Sequence, residues 1–280
     1  MPQRKSYVIA FQGEVGAFSH AAALKFLGEG IHLLPCSSFE AVFKAIRDGN
    51  ASCAVIPIEN TLHGSIHENY DHLLNYDFLI SGETSIRISH QLIALPGVSF
   101  RDLKKVYSHP VALNQCKRFF ERHPSLTAEP FYDTAGSVKA LKELKLSDAG
   151  AIASATAAET YGCRILRRNI EDSKENFTRF FLLTKQPFRI AAAAGDYKTS
   201  IVFTTSNTPG ALFRALACFA LRDVSLTKIE SRPFRGKPWE YLFYVDFLGN
   251  IDEQIPLNAL ANLKECTDFV KILGSYRPTL

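Results

Sequence analysis

The sequence predicts an α/β protein in two parts, a two-lobed α/β region followed by a small domain with the βαββαβ order of ferredoxin-like folds. Three observations predict it. From Tyr7 to about Thr184, short apolar runs bounded by turn residues alternate with segments of helical period, the rhythm of crossover units around a largely parallel sheet. Residues 186–196, with Pro187, four consecutive alanines and Gly195, break that rhythm as a linker does. From Lys198 the order becomes strand, helix, strand, strand, helix, strand. The expected division is therefore 7–184, a linker at 185–197 and a second domain over 198–276. The number of crossovers in the first part predicts two lobes with a cleft between them.

Taken in order, Val8, Ile9, Ala10 and Phe11 read as the first buried strand. The second helix is the best marked: Ser37 and Glu40 fit a capping box, Phe39, Val42, Phe43 and Ile46 share one face, and Gly49 ends it. Residues 53–58 form the next strand. A helix over 68–75, extended chain over 78–95, a helix after Pro110 and another after Asp133 and Thr134 continue the alternation, with strands at 150–153 and 178–184. In the second domain the strands are expected at 199–205, 224–231, 241–248 and 269–276, and the helices at 210–221 and 257–265.

A chain of 280 residues is long enough for about two domains with cores of their own. Its 46% hydrophobic and 21% charged residues, without a low-complexity tract or solenoid repeat, exclude a disordered chain. The net charge of +4 is spread along the length, which excludes a nucleic-acid or membrane tail and suits an anionic metabolite. No run approaches the roughly 20 apolar residues of a membrane helix. The basic start, Met1 to Lys5, is followed by an apolar run too short for a signal peptide, so a cytoplasmic location is expected. Cys36, Cys53, Cys116, Cys163, Cys218 and Cys266 include no C-x-x-C pair, and are expected to be buried free thiols rather than a zinc or redox site.

Several segments concentrate polar groups where chemistry is done. The loop from Gly13 to Ser19 joins a strand to a helix and leaves backbone N–H groups at a positive dipole end, where a carboxylate can bind; a plain turn fits equally. The run from Pro57 to Ser65 follows a strand, at the end of the sheet where ligand sites gather, although Asn60 could merely close an Asx turn. His63, His67 and His72 have near-helical spacing, but Gly64 interrupts the helix and no third-ligand pattern accompanies them, so no metal is expected. Ser108, His109 and Pro110 mark a strand end and helix start, with Gln115 along that helix; a Ser beside its own His is no protease triad. Asp133 fits an N-cap. If 176–181 is extended, Thr178 and Phe180 face one side while Phe177, Arg179 and Phe181 face the other, unless the segment is only a strand edge with Arg179 in solvent.

In order and spacing, these pieces resemble prephenate dehydratases over nearly the whole chain, from Tyr7 to about Tyr276. The block Thr178-Arg179-Phe180 resembles the family's signature tripeptide, which implies that Thr178 is the catalytic threonine, with Asn60, Ser108, Gln115 and Asp133 at further active-site positions. Gly16, Ala17, Ser19, Glu59, Thr61, Gly64, His109, Arg179 and Phe180 are the expected substrate-binding residues. Thr61 stands where the family usually has serine, and keeps the hydroxyl.

In the tail, Gly210-Ala211-Leu212-Phe213 and Glu230-Ser231-Arg232-Pro233 resemble the two motifs by which the family's ACT domain binds phenylalanine at a dimer interface. A homodimer or homotetramer is implied, with catalytic lobes like those of a periplasmic binding protein. The resemblance implies decarboxylating dehydration of prephenate to phenylpyruvate, feedback-regulated by L-phenylalanine, with no cofactor. The chain starts directly at the dehydratase segment, so chorismate mutase activity is not expected. A threonine hydroxyl is a poor acid, and the proton is expected to come from water, His109 or Glu59. The rivals are an arogenate dehydratase, whose substrate carries an amino group in place of the ketone, a non-catalytic phenylalanine sensor, and a periplasmic binding protein, which would need an export signal.

Overall fold

The computed structural model describes residues 7–188, 190, 195–237 and 239–279. The basic N-terminal residues and the four alanines of the expected linker lie outside the described residues.

β1 (Val8–Gln12) is buried through Ile9, Ala10 and Phe11, as a central strand covered on both faces must be. α1 (Phe18–Leu27) follows, and β2 (His32–Cys36) pairs parallel with β1, Val8 opposite His32. α2 (Phe39–Arg47) buries Val42, Phe43 and Ile46 as its periodicity requires. Its cap, however, is Ser38, which accepts from the Ala41 N–H, rather than Ser37; Glu40 therefore falls inside the first turn and pairs with Lys44 at 2.7 Å. β3 (Cys53–Asn60) runs parallel to β1, and β4 (Gly64–Ser65) folds back on its end with Asn60 opposite Gly64. α3 (His67–Asn75) begins only after Gly64, as the break there predicts.

The stretch expected to be extended over 78–95 is two strands, β5 (Leu79–Arg87) and β6 (Gln91–Ala94), because the chain passes between them into a second sheet. A short 3-10 turn leads to β7 (Lys105–Ser108), then α4 (Pro110–Asn114), α5 (Lys117–Arg122) and β8 (Thr127–Pro130). α6 (Thr134–Glu143), β9 (Ala149–Ala153), α7 (Ala155–Tyr161) and β10 (Arg164–Arg167) complete the lobe. Gln115 is the C-cap of α4, between two helices rather than along one. The sheet order is β10-β6-β9-β7-β8. It is mixed rather than largely parallel: β7 runs with β8 and β9, whereas β6, reached without a crossover helix, runs against both its neighbours. One face packs small residues, among them Ala135, Ala151, Ala153 and Ala157, and the other packs Val106, Phe119, Leu126 and Ile152. β11 (Phe177–Thr184) then returns to the first lobe beside β3.

By compactness the chain forms two units, one of residues up to Asn69 with Thr84–Phe180, the other of Tyr70–Glu83 with residues from Phe181 onward. The 70–83 segment, which lies before the expected boundary at 184, is thus grouped with the C-terminal part. The reason is visible in that unit: the Tyr244 hydroxyl donates to the Tyr70 carbonyl at 2.8 Å, and Lys271 Nζ to those of Leu74 and Tyr76 at 3.0 and 2.8 Å.

The rest of this unit is β12 (Lys198–Thr204), α8 (Ala211–Ala220), β13 (Leu226–Pro233), β14 (Tyr241–Leu248), α9 (Gln254–Glu265), β15 (Phe269–Tyr276) and β16 (Pro278–Thr279). The first six give the expected βαββαβ order, with an antiparallel sheet β13-β14-β12-β15. Gly210 opens α8 in the left-handed conformation, φ +77°. α9 starts three residues before the expected 257, since Pro256 is tolerated in a first turn where its missing N–H has no partner to lose. Phe203, Phe219, Phe247 and Leu263 fill the core between sheet and helices. Among the described residues no helix is long and apolar enough to cross a membrane. Cys53, Cys116 and Cys218 are buried, whereas Cys36, Cys163 and Cys266 are partly exposed, which corrects the expectation that all six are inside.

Candidate active site

Within the first unit, the two lobes enclose a cleft of about 450 Å³. Its walls come from the end of β1, the β3–β4 turn, the start of β11, and the N-terminal ends of α1, α4 and α6. Helix N-termini carry N–H groups and partial positive charge, and that of α1, which no side chain caps, favours an anion at the cavity.

Thr178 lies on β11 with only 7% of its surface exposed, and it lines the cleft together with Phe180. The alternation read from the sequence holds. Arg179, between them, faces away and meets Glu59 at 3.1 Å outside the cleft walls.

Asn60, the last residue of β3, organises this wall. Its Nδ2 donates to Thr178 Oγ1 at 3.0 Å, to Asn176 Oδ1 at 2.8 Å and to the Phe177 carbonyl at 3.1 Å. Its Oδ1 accepts from the N–H groups of Leu62 and His63, both at 3.0 Å. The Asx turn and the site reading are thus realised by the same side chain. Thr61 rivets the strand rather than facing the cleft: its hydroxyl donates to the Glu175 carbonyl at 2.8 Å and accepts from the Phe177 N–H at 3.0 Å.

From Asn60 a chain of polar contacts runs across the cleft. His63 Nδ1 lies 3.2 Å from Asn60 Oδ1 and 3.3 Å from Gln115 Nε2. The first contact needs a proton on that nitrogen and the second needs a lone pair, so one tautomer serves one partner at a time. Gln115 Oε1 in turn accepts from His90 Nε2 at 2.7 Å. His90 is 2% exposed, and burial lowers its pKa, keeping the imidazole neutral.

At the other end, Ala17 and Ser19 open α1, His109 caps α4 by accepting from the Val111 N–H at 3.3 Å, and Asp133 caps α6 by accepting from the Gly136 N–H at 2.7 Å. Burial, with the charge of Glu14 adding, raises the pKa of Asp133 against the opposing pull of its backbone donors.

The cleft therefore brings together Thr178, Asn60, Gln115, Asp133 and Phe180, and with them Ala17, Ser19, Gly64 and His109. Five expected site residues do not line it. Ser108 is fully buried and its hydroxyl donates to the Ile152 carbonyl at 2.6 Å, tying β7 to β9. Glu59 and Arg179 are taken up with each other, and Thr61 clasps β11. Gly16 shapes the loop instead: its N–H donates to His20 Nδ1 at 3.1 Å, its carbonyl accepts from Ser154 at 2.6 Å, and a Cβ there would sit 2.7 Å from the Ala157 Cα. The cleft also holds Gln12, His90 and Tyr132, which the sequence does not single out, while Phe18 and His63 fall within the two loops that it does. The first three stand in no local pattern; the second lobe's fold alone brings His90 to Gln115.

In the second unit, Gly210 to Phe213 open α8, with Phe213 75% exposed, and Glu230 to Pro233 end β13. Arg232 meets Asp71 at 3.6 Å, and Arg235 meets the same carboxylate at 2.8 Å.

Comparison with known proteins adds four findings. The family model for prephenate dehydratase matches residues 9–188. The chain is 43% identical over 277 residues to arogenate dehydratase/prephenate dehydratase 2, chloroplastic, of Arabidopsis thaliana, covering 96% of this chain and 72% of that one. Among solved structures, a prephenate dehydratase from Arthrobacter aurescens in complex with L-Phe has a TM-score of 0.85 at 31% identity, covering 96% of this chain and 89% of that one. A protein described as GqqA, a novel type of quorum quenching acylase, has a TM-score of 0.87 at 33% identity, covering 97% and 98%.

Proposed function

The chain belongs to the prephenate dehydratase family, and from that premise we propose that its cleft carries a decarboxylating dehydration centred on Thr178. The observation that carries this reading is the 3.0 Å hydrogen bond from Asn60 Nδ2 into Thr178 Oγ1. With a lone pair engaged by the amide, the hydroxyl's own proton is directed away from Asn60, and the cleft is where a substrate can receive it.

In the reaction the ring carboxylate leaves as carbon dioxide, its bonding pair enters the ring, and the ring C–O bond breaks as aromaticity forms. Thr178 donates a hydrogen bond to the departing oxygen, where negative charge develops. The oxygen leaves as water, and the proton it takes is returned from solvent or from His109. Glu59, engaged with Arg179 outside the cleft, does not supply it. The first turn of α1, which no side chain caps, holds a carboxylate, because among the described residues no lysine or arginine lines the cleft.

Residues 198–276 act as an ACT-type regulatory domain behind the 7–184 catalytic domain. It takes L-phenylalanine through Gly210, Ala211, Leu212 and Phe213 of one copy with Glu230, Ser231, Arg232 and Pro233 of another, in a homodimer or homotetramer, and feedback inhibition follows. The relative solved with L-Phe supports this reading. A cytoplasmic enzyme without a cofactor completes it.

Acyl transfer, the activity named for one similar structure, needs a hydroxyl held by a base. Here Thr178 receives a hydrogen bond from an amide, and Ser108 spends its proton on a carbonyl. The dehydration reading is tested by Thr178→Ala and Thr178→Ser. The alanine variant should lose about 10²- to 10³-fold in kcat with KM within a few-fold, and the serine variant should keep much of the rate. Near-normal turnover by the alanine variant would remove Thr178 from the mechanism.

A further inference from the structure

A substrate with two carboxylates meets an unusual electrostatic setting here. Of the described residues lining the cleft, none is lysine or arginine, and one, Asp133, is itself a carboxylate. Its neighbour Glu14 is matched, by Lys139 at 3.1 Å and by the Tyr132 hydroxyl at 3.0 Å. Asp133 has no such match: among the described residues no lysine or arginine pairs with it, and what opposes its burial is backbone, the Gly136 N–H on Oδ1 at 2.7 Å and the Ala135 N–H.

Its other oxygen packs close to backbone. Gly13 stands there at φ +104°, and a Cβ at that position would lie 2.9 Å from Asp133 Oδ2. Among the described residues of the cleft wall, a charge on His109 would offset that of Asp133, and His109 Nδ1 accepts from the Val111 N–H. A cap alone does not require a charge, since Asn and Ser cap as well as Asp. What the ionised carboxylate adds is attraction for a cation and repulsion of lone pairs. Prephenate offers a ketone at its side chain, which has lone pairs only. Arogenate offers an ammonium there, with N–H donors and one unit less of negative charge.

We infer that Asp133 is a specificity-determining residue that binds the α-ammonium of L-arogenate, and that this chain prefers L-arogenate to prephenate. The inference rests on the dehydratase reading of the same cleft. The desolvation and the Glu14 charge that raise the Asp133 carboxyl's pKa are both opposed by a bound cation, so the substrate's ammonium settles the group in its ionised form.

The test is kcat/KM for L-arogenate and for prephenate, measured on the full chain for the wild type, Asp133→Asn and Asp133→Ser. Both variants keep a cap, so melting temperatures should stay within a few degrees. The wild type should favour L-arogenate, and both variants should lower the ratio of kcat/KM for L-arogenate to that for prephenate by about 30-fold or more. A wild type that favours prephenate, or variants that lose both substrates equally or neither, would overturn the inference and leave the dehydratase reading standing. A wild type inactive on both substrates would overturn that reading too. Gly13→Ala, which crowds Oδ2 without removing charge, should lower both activities; selective loss of L-arogenate in the Asp133 variants but not here separates charge from shape.

Discussion

A threonine hydroxyl can be an acceptor or a donor, and its neighbours decide which. At Thr178 the Asn60 amide takes the acceptor role for itself and leaves the donor role to the substrate. The alternation of Thr178 with Arg179 was legible because a strand has a period of two, and the hydrogen bond to Asn60 was not, because it joins residues 118 positions apart. Ser108 shows the converse. A polar residue at a strand end fits a site, but the lobe's packing makes its hydroxyl a rivet to Ile152.

His90 yields a prediction at this scale. Burial holds it below its ordinary pKa of 6.5, so in the folded protein it stays neutral where the unfolded chain is protonated. Its contribution is intact above about pH 6.5 and erodes by about 1.4 kcal/mol per pH unit below that, until the folded-state pKa is reached. Urea melts of the wild type and His90→Gln between about pH 7 and pH 5 should show a flatter pH slope for the variant, whatever its absolute stability. Equal slopes would contradict this assignment.

Elements were read well where local chemistry governs them and less well where tertiary contacts do. The apolar face of α2 is as its periodicity predicts, yet its start moved by one residue because either of two adjacent serines can cap and the geometry of the entering chain chose Ser38. Ser38→Ala should cost about 1 kcal/mol in denaturant unfolding and Ser37→Ala close to nothing; the reverse order would restore the capping box read from the sequence. The split of the 78–95 stretch into β5 and β6 was invisible because both strands are apolar, and only the passage to another sheet separates them. The start of β11 depends on a side chain from the β3–β4 turn. Thr61→Val removes both of the hydroxyl's backbone bonds and should cost about 1–3 kcal/mol, with a fall in kcat as Thr178 loosens, while Thr61→Ser should be nearly neutral. Equal effects of the two would deny the clasp.

At the scale of the molecule, the change from crossover units to βαββαβ order was plain in the sequence, and the two-lobed cleft followed from the number of crossovers. The grouping of Tyr70–Glu83 with the C-terminal unit was not plain, because it depends on bonds such as Lys271 to Leu74 that span nearly two hundred residues. If residues 198–276 bind L-phenylalanine, the ligand should raise the melting temperature in proportion to the logarithm of its concentration, worth about 2.7 kcal/mol at a hundredfold excess over Kd, and lower turnover in the same range. Gly210→Val should abolish both responses while leaving unliganded turnover intact; an effector response that survives it would place the binding elsewhere.

One bond, by which an amide aims a hydroxyl, sets up the chemistry of the cleft. A double-mutant cycle in kcat with Asn60→Ala, Thr178→Ala and the pair tests it most directly. If Asn60 acts through Thr178, the double variant should be no slower than Thr178→Ala alone. Losses that multiply in the double variant would mean that the two side chains act independently, and the aimed hydroxyl would have to be given up.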